Sequence, residues 1–402
     1  MSSRSLSTFL ILLLVTALAA VATSSCLAEE TKDKAANPDK AADPEKAEAD
    51  PFAVPDGDGR VLTGFIRSMF TRARSPKGKT EDEQAADFKK SLQAAADACE
   101  KLYEASLKDE ATGVNHAATS IQAGTAALKA LKFRAGDKNA ANRLRKLAET
   151  AANDKREPIA NLGKQLLLEL KFELPIDADE KVANKLADDL KAEFAKGDVS
   201  LQTVRFVSQF LPQFERQGYL KAAIDLNNFF AGQFAKSDDA QIASFADRLK
   251  GTARRLNLPG NPIELSGKLL DGTELDWASY KGKVVLVDFW ATWCGPCIRE
   301  LPNVVENYEK YHDRGFEVLG ISLDTDRAKT EEFVEVRKIP WKSLFSDDAK
   351  TNGWKHPMVT HYGIGGIPTV ILVNQQGNVV SLNARGPELG RLLAELLPSE
   401  DP

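Results

Sequence analysis

The feature that most constrains the fold is an abrupt change of pattern at residues 256–267, "LNLPGNPIELSG". Before this segment apolar residues recur at three- and four-residue steps, whereas after it they form continuous runs typical of buried strands. Pro259, Gly260 and Pro262 strongly oppose the continuation of a helix. Because a chain of 402 residues is too long for one ordinary domain, we expect an all-helical domain before this segment and an α/β domain after it.

Residues 81–257 predict the all-helical domain, as a helical bundle or a stack of α-hairpins. In "LQTVRFVSQFLPQFERQ" (201–217), for example, apolar residues follow one face of a single amphipathic helix. About eight such stretches are separated by Asp, Asn, Gly or Pro, and the short loops favour antiparallel neighbours. No signature identifies a named repeat family, so the role of this domain stays open. Cys99 lies on one of these helices, where we expect it to fill a small packing position.

The N-terminal residues 1–28 predict a signal peptide or a lipoprotein signal. The uncharged stretch "FLILLLVTALAAVA" (9–22) follows Arg4 and has the length of a signal-peptide core, which is short for a membrane span. The small residues of "AVA" (20–22) suit a signal peptidase, while "TSSC" ending at Cys26 weakly resembles a lipoprotein box. We therefore expect export to the periplasm or cell envelope, with lipidation of Cys26 as an open alternative.

Residues 29–80 predict a disordered linker, because residues 29–60 consist mainly of Ala, Lys, Asp, Glu and Pro. Within it, the basic stretch at 66–79 is interpreted as a continuing tether or a short docking helix. If the N-terminus were anchored, the linker would tether the folded part to a membrane. The whole chain is 43% hydrophobic and 28% charged with a net charge of −5, as in soluble globular proteins, and this balance does not favour nucleic acid as a partner.

Residues 258–402 predict an α/β domain with a mixed sheet and helices on both faces. The order of elements is β-α-β-α followed by β-β-α, which is typical of such a sheet. The predicted strands are 283–290, 316–323, 368–374 and 379–383, and the predicted helices are 297–315, 327–338 and 388–397.

Two of the four cysteines lie two residues apart in "FWATWCGPCIRE" (289–300). Four cysteines in 402 residues are too few for a disulfide scaffold. A metal site is disfavoured because no second cysteine pair and no suitably spaced histidines accompany Cys294 and Cys297. Ile298 replaces the histidine of a haem-attachment sequence, and a disulfide that closes so short a loop stabilises little. Redox chemistry is the remaining interpretation, with the redox-active disulfide itself and no further cofactor.

The position of the pair supports this interpretation, because an apolar strand changes to a helix at this point. Cys294 should lie at the helix N-terminus, where unpaired N–H groups and the helix dipole lower the thiol pKa and favour the attacking thiolate. Cys297, one turn later, can resolve a mixed disulfide. Gly295 and Pro296 permit the tight turn and begin the helix.

The sequence "VLVDFWATWCGPC" (285–297), followed by "GIPT" (366–369), resembles the thioredoxin-fold oxidoreductases. It is most similar to the membrane-associated TlpA/ResA class, over about residues 258–398. The resemblance implies that Pro368 is cis and faces the cysteines, and that the Ile367 backbone pairs with a substrate strand. It also implies protein thiols or disulfides as substrates and a membrane electron donor as a partner.

The resemblance suggests roles for three further side chains. Asp288 lies within an apolar strand, so its pKa should rise, which suits a proton acceptor for Cys297; a hydrogen-bonded structural aspartate is the alternative. Glu300 matches an acidic residue of the TlpA/ResA class, although a solvated helix glutamate fits equally well. Trp293 is expected to cover Cys294. The stretch at 318–324 lacks the lysine that thioredoxins pair with the buried aspartate, which leaves the proton route open.

Three functions follow from these expectations. The first is an extracytoplasmic thiol–disulfide oxidoreductase, which reduces protein disulfides because Gly295–Pro296 is the thioredoxin dipeptide. The second is a redoxin-type peroxidase, although Ala291 stands where that chemistry usually places a threonine. The third is a helical client-binding protein with a regulatory redox domain.

Overall fold

The computed structural model describes residues 50–109, 112–175, 177–195, 197 and 199–398. They fall into two compact units, of which the first ends at Glu173 and the second begins at Leu174. The predicted signal sequence with Cys26, and the predicted linker as far as residue 49, lie outside the described residues.

The first unit is helical, and its helices enclose an alanine- and leucine-rich core. Several helix starts follow from capping side chains: Asp58 accepts hydrogen bonds from two N–H groups of the first helix, and Thr80 and Glu83 form a capping box before the second. The helices are α1 Gly59–Arg74, α2 Glu81–Ser106, α3 Gly113–Arg134, α4 Ala140–Ala152 and α5 Glu157–Lys171.

Helix α1 corrects the prediction of a disordered linker that reaches residue 80. Leu62, Ile66 and Met69 recur on one helix face and are at most 5% exposed. This apolar face is buried against the rest of the unit, and its burial offsets the entropy cost of ordering the helix. The low apolar content of residues 29–80 as a whole hid this local face. Of the two interpretations of 66–79, the continuing tether is therefore wrong as far as Arg74, whereas a helix does form there and its docking role stays a prediction.

The second unit begins with helices α6 Glu180–Phe194, α7 Leu201–Phe210, α8 Pro212–Arg216, α9 Leu220–Phe234 and α10 Ala240–Leu256. The single helix predicted over 201–217 is divided at Pro212, which lacks an N–H group and begins a new short helix. The division of the chain at Glu173 differs from the domain boundary predicted at 257. Helices α6 to α10 thus group with the α/β region.

A five-stranded mixed sheet follows, in the order β3-β2-β1-β4-β5. The strands are β1 Val284–Trp290, β2 Phe316–Ser322, β3 Lys342–Leu344, β4 Thr369–Val373 and β5 Val379–Ser381. Strand β1 pairs in parallel with β2 and antiparallel with β4, and β2 pairs in parallel with β3. The predicted mixed sheet is confirmed, and the continuous burial of β1 and β2 explains their apolar runs.

Four helices complete this region: α11 Gly295–Tyr311, α12 Arg327–Val336, α13 Pro357–His361 and α14 Pro387–Leu396. Four residues separate the end of the central strand β1 from the start of helix α11, so the predicted redox pair lies at the carboxyl end of that strand. Among the residues described, no helix combines the length and the hydropathy needed to cross a membrane.

Candidate redox site

Cys294 and Cys297 form a disulfide, with their Cα atoms 5.2 Å apart. Cys294 is the N-cap residue of α11, and its sulfur accepts a hydrogen bond from the backbone N–H of Cys297 at 3.2 Å. Gly295 and Pro296, which separate the cysteines, are the first two residues of the helix and are exposed. The predicted placement of Cys294 at a helix N-terminus is confirmed. At this position backbone N–H groups favour negative charge on the sulfur.

Trp293 precedes the pair and is 57% exposed. Its ring centroid is 6.4 Å from that of Trp354, which is 48% exposed and lies on a short 3₁₀ helix. The two rings form an exposed aromatic surface beside the redox pair. The expected covering of Cys294 by Trp293 stays a prediction, whereas the contact with Trp354 was not foreseen.

Asp324 is a site residue that the sequence analysis missed. Its buried carboxylate accepts the Thr292 N–H at 3.0 Å, the Thr292 hydroxyl at 2.7 Å and the Ser322 hydroxyl at 2.9 Å. These bonds fasten the loop before Cys294 to the end of β2. The one available signal was an acidic residue directly after a predicted buried strand, a place where side chains of neighbouring strands converge.

Asp288 lies on β1 opposite Gly320 of β2 and Val370 of β4. Although the residue as a whole is partly exposed, its Oδ1 is inaccessible and has no hydrogen-bond partner among the described residues. Burial, and secondarily the charge of Glu300, raises the pKa of Asp288 to about 7. Oδ1 thus accepts no hydrogen bond from a described protein group, and both the proton-acceptor role and the structural alternative for Asp288 stay predictions.

Glu300 lies on α11 and is partly buried, so it is not a freely solvated helix residue. Its Oε1 accepts the Gly386 N–H at 2.7 Å and the Asn303 side-chain amide at 2.8 Å. Gly386 has a φ of +54° and immediately precedes α14. Glu300 therefore fastens α11 to the start of α14, in addition to its electrostatic effect on Asp288.

The Ile367–Pro368 peptide bond is cis, as the resemblance implied. Thr369, the next residue, pairs with Phe289 of β1, so the cis bond lies at the same edge of the sheet as the redox pair. Arg385 donates a hydrogen bond to the Pro368 carbonyl at 3.5 Å. The strand register thus brings together two segments about seventy residues apart in the sequence.

Ala291, at the position where a peroxidase would place a threonine, is fully buried and offers no hydroxyl group. No cluster of three or more His, Cys, Asp or Glu side chains suited to a metal ion occurs in the described ranges. The described groups at this edge of the sheet that can react or bind a substrate therefore include the two sulfurs, the Asp288 carboxyl and the exposed backbone next to the cis bond.

Comparisons with known proteins identify sequences that are similar to the region that carries this site. Residues 258–390 match the protein-family model described as Redoxin. Thiol-disulfide oxidoreductase ResA from Bacillus thuringiensis (strain Al Hakam) is 32% identical over 111 residues, which are 28% of this chain and 60% of that protein. ResA from Bacillus thuringiensis subsp. konkukian is 27% identical over 133 residues, which cover 33% of this chain and 72% of that protein.

Among solved structures, the thioredoxin domain of a thiol-disulfide oxidoreductase from Bacteroides vulgatus is 29% identical. The match covers 35% of this chain and 97% of that domain, with a TM-score of 0.32. The chain spans about 60% of the length of the first ResA relatives that it matches. Residues 258–390, about a third of the chain, therefore match the Redoxin family model and are similar to the ResA proteins, within a chain that extends well beyond the match.

Proposed function

We propose that this protein is an extracytoplasmic thiol–disulfide oxidoreductase that reduces disulfides of other proteins. The observation that carries the proposal is the Cys294–Cys297 disulfide at the N-terminus of α11. The similarity to ResA, whose name is thiol-disulfide oxidoreductase, supports the reaction class. The Gly-Pro dipeptide between the cysteines, shared with thioredoxin, supports the reducing direction.

In the reduced protein, the Cys294 thiolate attacks one sulfur of a substrate disulfide. A mixed disulfide forms between Cys294 and the substrate, and the other substrate sulfur leaves as a thiolate, which takes up a proton. Cys297 then loses its proton and attacks the Cys294 sulfur. The second substrate thiol leaves, and the pair is oxidised to the disulfide, so that two electrons pass from the pair to the substrate.

Asp288 is the proposed acceptor of the Cys297 proton. A carboxyl group whose pKa is about 7 can both accept and return a proton near neutral pH. Its Oδ1 has no competing hydrogen bond among the described residues, so it is available for this exchange. No lysine is present in 318–324, and the charged groups that act on Asp288 are Glu300, which raises its pKa, and Arg385, which lowers it.

A cycle of this kind needs a donor that restores the dithiol, and for an exported protein we propose a membrane electron donor. We propose that residues 1–28 direct export, with Cys26 as a candidate lipid anchor and the following acidic and basic residues as a spacer. Fractionation of cells that produce the full chain, with Cys26→Ser as the matched variant, tests the proposed export and the proposed lipid anchor. A chain recovered entirely from the cytoplasm would contradict the proposed location.

The first test of function is the reduction potential of the Cys294–Cys297 pair, measured against dithiothreitol and glutathione buffers. We expect a value near that of thioredoxin, roughly −270 mV. A value near that of a strong oxidant, about −120 mV, would instead indicate a protein that forms disulfides. Reduction of a peptide disulfide and of hydrogen peroxide by the same preparation separates the oxidoreductase from the peroxidase alternative.

A further inference from the structure

Helix α10 is in close contact with the segment that leads to the cis peptide bond. A β-carbon placed on Gly251 would lie 2.5 Å from the backbone nitrogen of Gly363, so the two backbones touch. Gly363 itself has a φ of +59°, which favours glycine. Arg254 donates a hydrogen bond to the His361 carbonyl at 2.5 Å. Because of these contacts, α10 holds its side chains at a fixed place beside the segment.

Arg248 projects from α10 toward this segment. Its guanidinium lies against Gly365, where an added β-carbon would overlap it, and Gly365 is two residues before Ile367. The Arg248 side chain is exposed, and none of the ion pairs among the described residues involves it. The acidic residue next to it, Asp247, pairs with Lys250 at 3.7 Å.

A second guanidinium, that of Arg299, lies beside the redox pair on the helix that carries the pair. Arg299 lies one turn into α11, and its Nη1 is 3.5 Å from the place that a β-carbon on Gly295 would occupy. It too is exposed and has no carboxylate partner in the described part of the chain. Two positive charges, each held by a different helix, therefore lie beside two segments of the redox region: Arg299 beside the redox pair and Arg248 beside the residues that lead to the cis bond.

We propose that Arg248 and Arg299 select protein substrates in which Asp or Glu side chains lie close to the reacting cysteine. This proposal rests on the proposed function. A guanidinium presents paired N–H donors that match a carboxylate, and an arginine without an intramolecular partner loses no existing bond when it binds one. Because both groups are exposed, their contribution is moderate and depends on salt. The helical region thus supplies a specificity residue to the redox site.

The test uses the reduced full-length protein and three disulfide-bonded peptides, which are identical except for acidic, neutral or basic residues beside the cysteines. Neutral 4,4′-dithiodipyridine serves as the reference disulfide. We expect the acidic peptide to react on the order of fivefold faster than the neutral one, a factor that corresponds to about 1 kcal/mol for an exposed pair. High salt should remove this preference.

Arg248→Gln should lower the rate for the acidic peptide by about threefold to fivefold and leave 4,4′-dithiodipyridine unaffected, and Arg248→Glu should favour the basic peptide. Lys236→Gln removes the same charge from an exposed site after α9 and is the matched control. Equal rates for the three peptides, with 4,4′-dithiodipyridine still reduced, overturn only this inference. A wild-type protein that reduces none of the disulfides overturns the proposed function, and the inference with it.

Discussion

Cys99 and Cys294 are almost equally buried, at 1% and 4% exposure, but they occupy different positions on their helices. Cys99 is well inside α2, where burial raises the pKa of its thiol far above the ordinary value. Cys294 is the N-cap of α11, beside N–H groups that favour a negative sulfur. Exposure does not distinguish these two thiols, whereas the position along the helix does.

The surroundings of the two cysteines lead to the same distinction. The Cys99 carbonyl accepts the Ser120 hydroxyl at 2.6 Å, and a β-carbon on Gly124 would lie 3.4 Å from its Cβ. These are contacts of close packing. Cys294 is instead bonded to Cys297 and lies at the edge of the sheet that carries the cis bond. The surroundings of Cys294 suit thiol–disulfide exchange, whereas those of Cys99 suit helix packing.

The sharpest test of this comparison is to replace each cysteine separately. Cys294→Ser should lower the rate of disulfide reduction by at least about 1000-fold, because a hydroxyl does not replace the attacking thiolate. Cys99→Ala should leave the rate within about twofold, since Cys99 takes no part in the exchange. The measurement is the reduction of a peptide disulfide by the prereduced protein. A comparable loss in both variants would show that the two regions are functionally coupled.

The second prediction concerns Asp288 and the pH dependence of the redox region. Asp288→Asn should slow the resolution of the mixed disulfide at pH 7 by about 100-fold, the usual contribution of a proton acceptor. The loss should be smallest at the alkaline end of the range, where solvent hydroxide removes the proton. Stopped-flow measurement of product release from pH 5 to 9 checks this, and an unchanged pH profile would contradict the assigned role.

The same substitution has an opposite effect on stability. The pKa of Asp288 is higher in the folded protein, about 7, than its ordinary value of 3.8, so the folded state binds the proton more tightly. Stability of the wild type should therefore fall, relative to Asp288→Asn, as the pH rises from about 4 to about 7. Urea unfolding of the oxidised proteins at pH 4 and pH 8 measures the difference. An Asp288→Asn variant that is less stable than the wild type at pH 8 would contradict the argument that burial raises the pKa of Asp288.

The third prediction is that the Asp324 carboxylate holds the loop before Cys294. Asp324→Ala removes the carboxylate that accepts three hydrogen bonds and leaves the Thr292 N–H without its partner, so we expect a loss of about 3 kcal/mol. Asp326→Ala, which removes an exposed helix cap two residues later, should lower the stability clearly less. Denaturant unfolding measures both. Equal losses would mean that the Asp324 bonds add nothing beyond an ordinary cap.

The smallest effect is expected for Cys99→Ser, on stability alone. A hydroxyl at this buried site is more polar than the thiol and should cost about 1 to 2 kcal/mol, while Cys99→Ala tests the loss of packing alone. If the serine variant were as stable as the wild type, the site would have to offer the hydroxyl a partner, and the description of Cys99 as a packing residue would need revision.

Much of the α/β region was predictable, because long apolar runs and helix-breaking residues are local signals. The strand expected at 283–290 is β1 Val284–Trp290, and the helix expected at 388–397 is α14 Pro387–Leu396. Strand β3 was missed because it has only three residues, too few for a periodic signal. The start of helix α1 at Gly59 was missed, and a short helix within 66–79 was only one of two interpretations, because the composition of the surrounding stretch obscured the four-residue spacing of Leu62 and Ile66.

The sequence alone determined the chemistry at the redox pair, because two cysteines at a strand-to-helix junction are within reach of each other by local geometry. Only the tertiary structure showed which distant side chains serve this junction. Asp324 holds the loop, Glu300 joins two helices, and Arg248 reaches Gly365 from a helix more than one hundred residues earlier. Such contacts depend on how whole elements pack, and no periodicity or spacing along the chain encodes them.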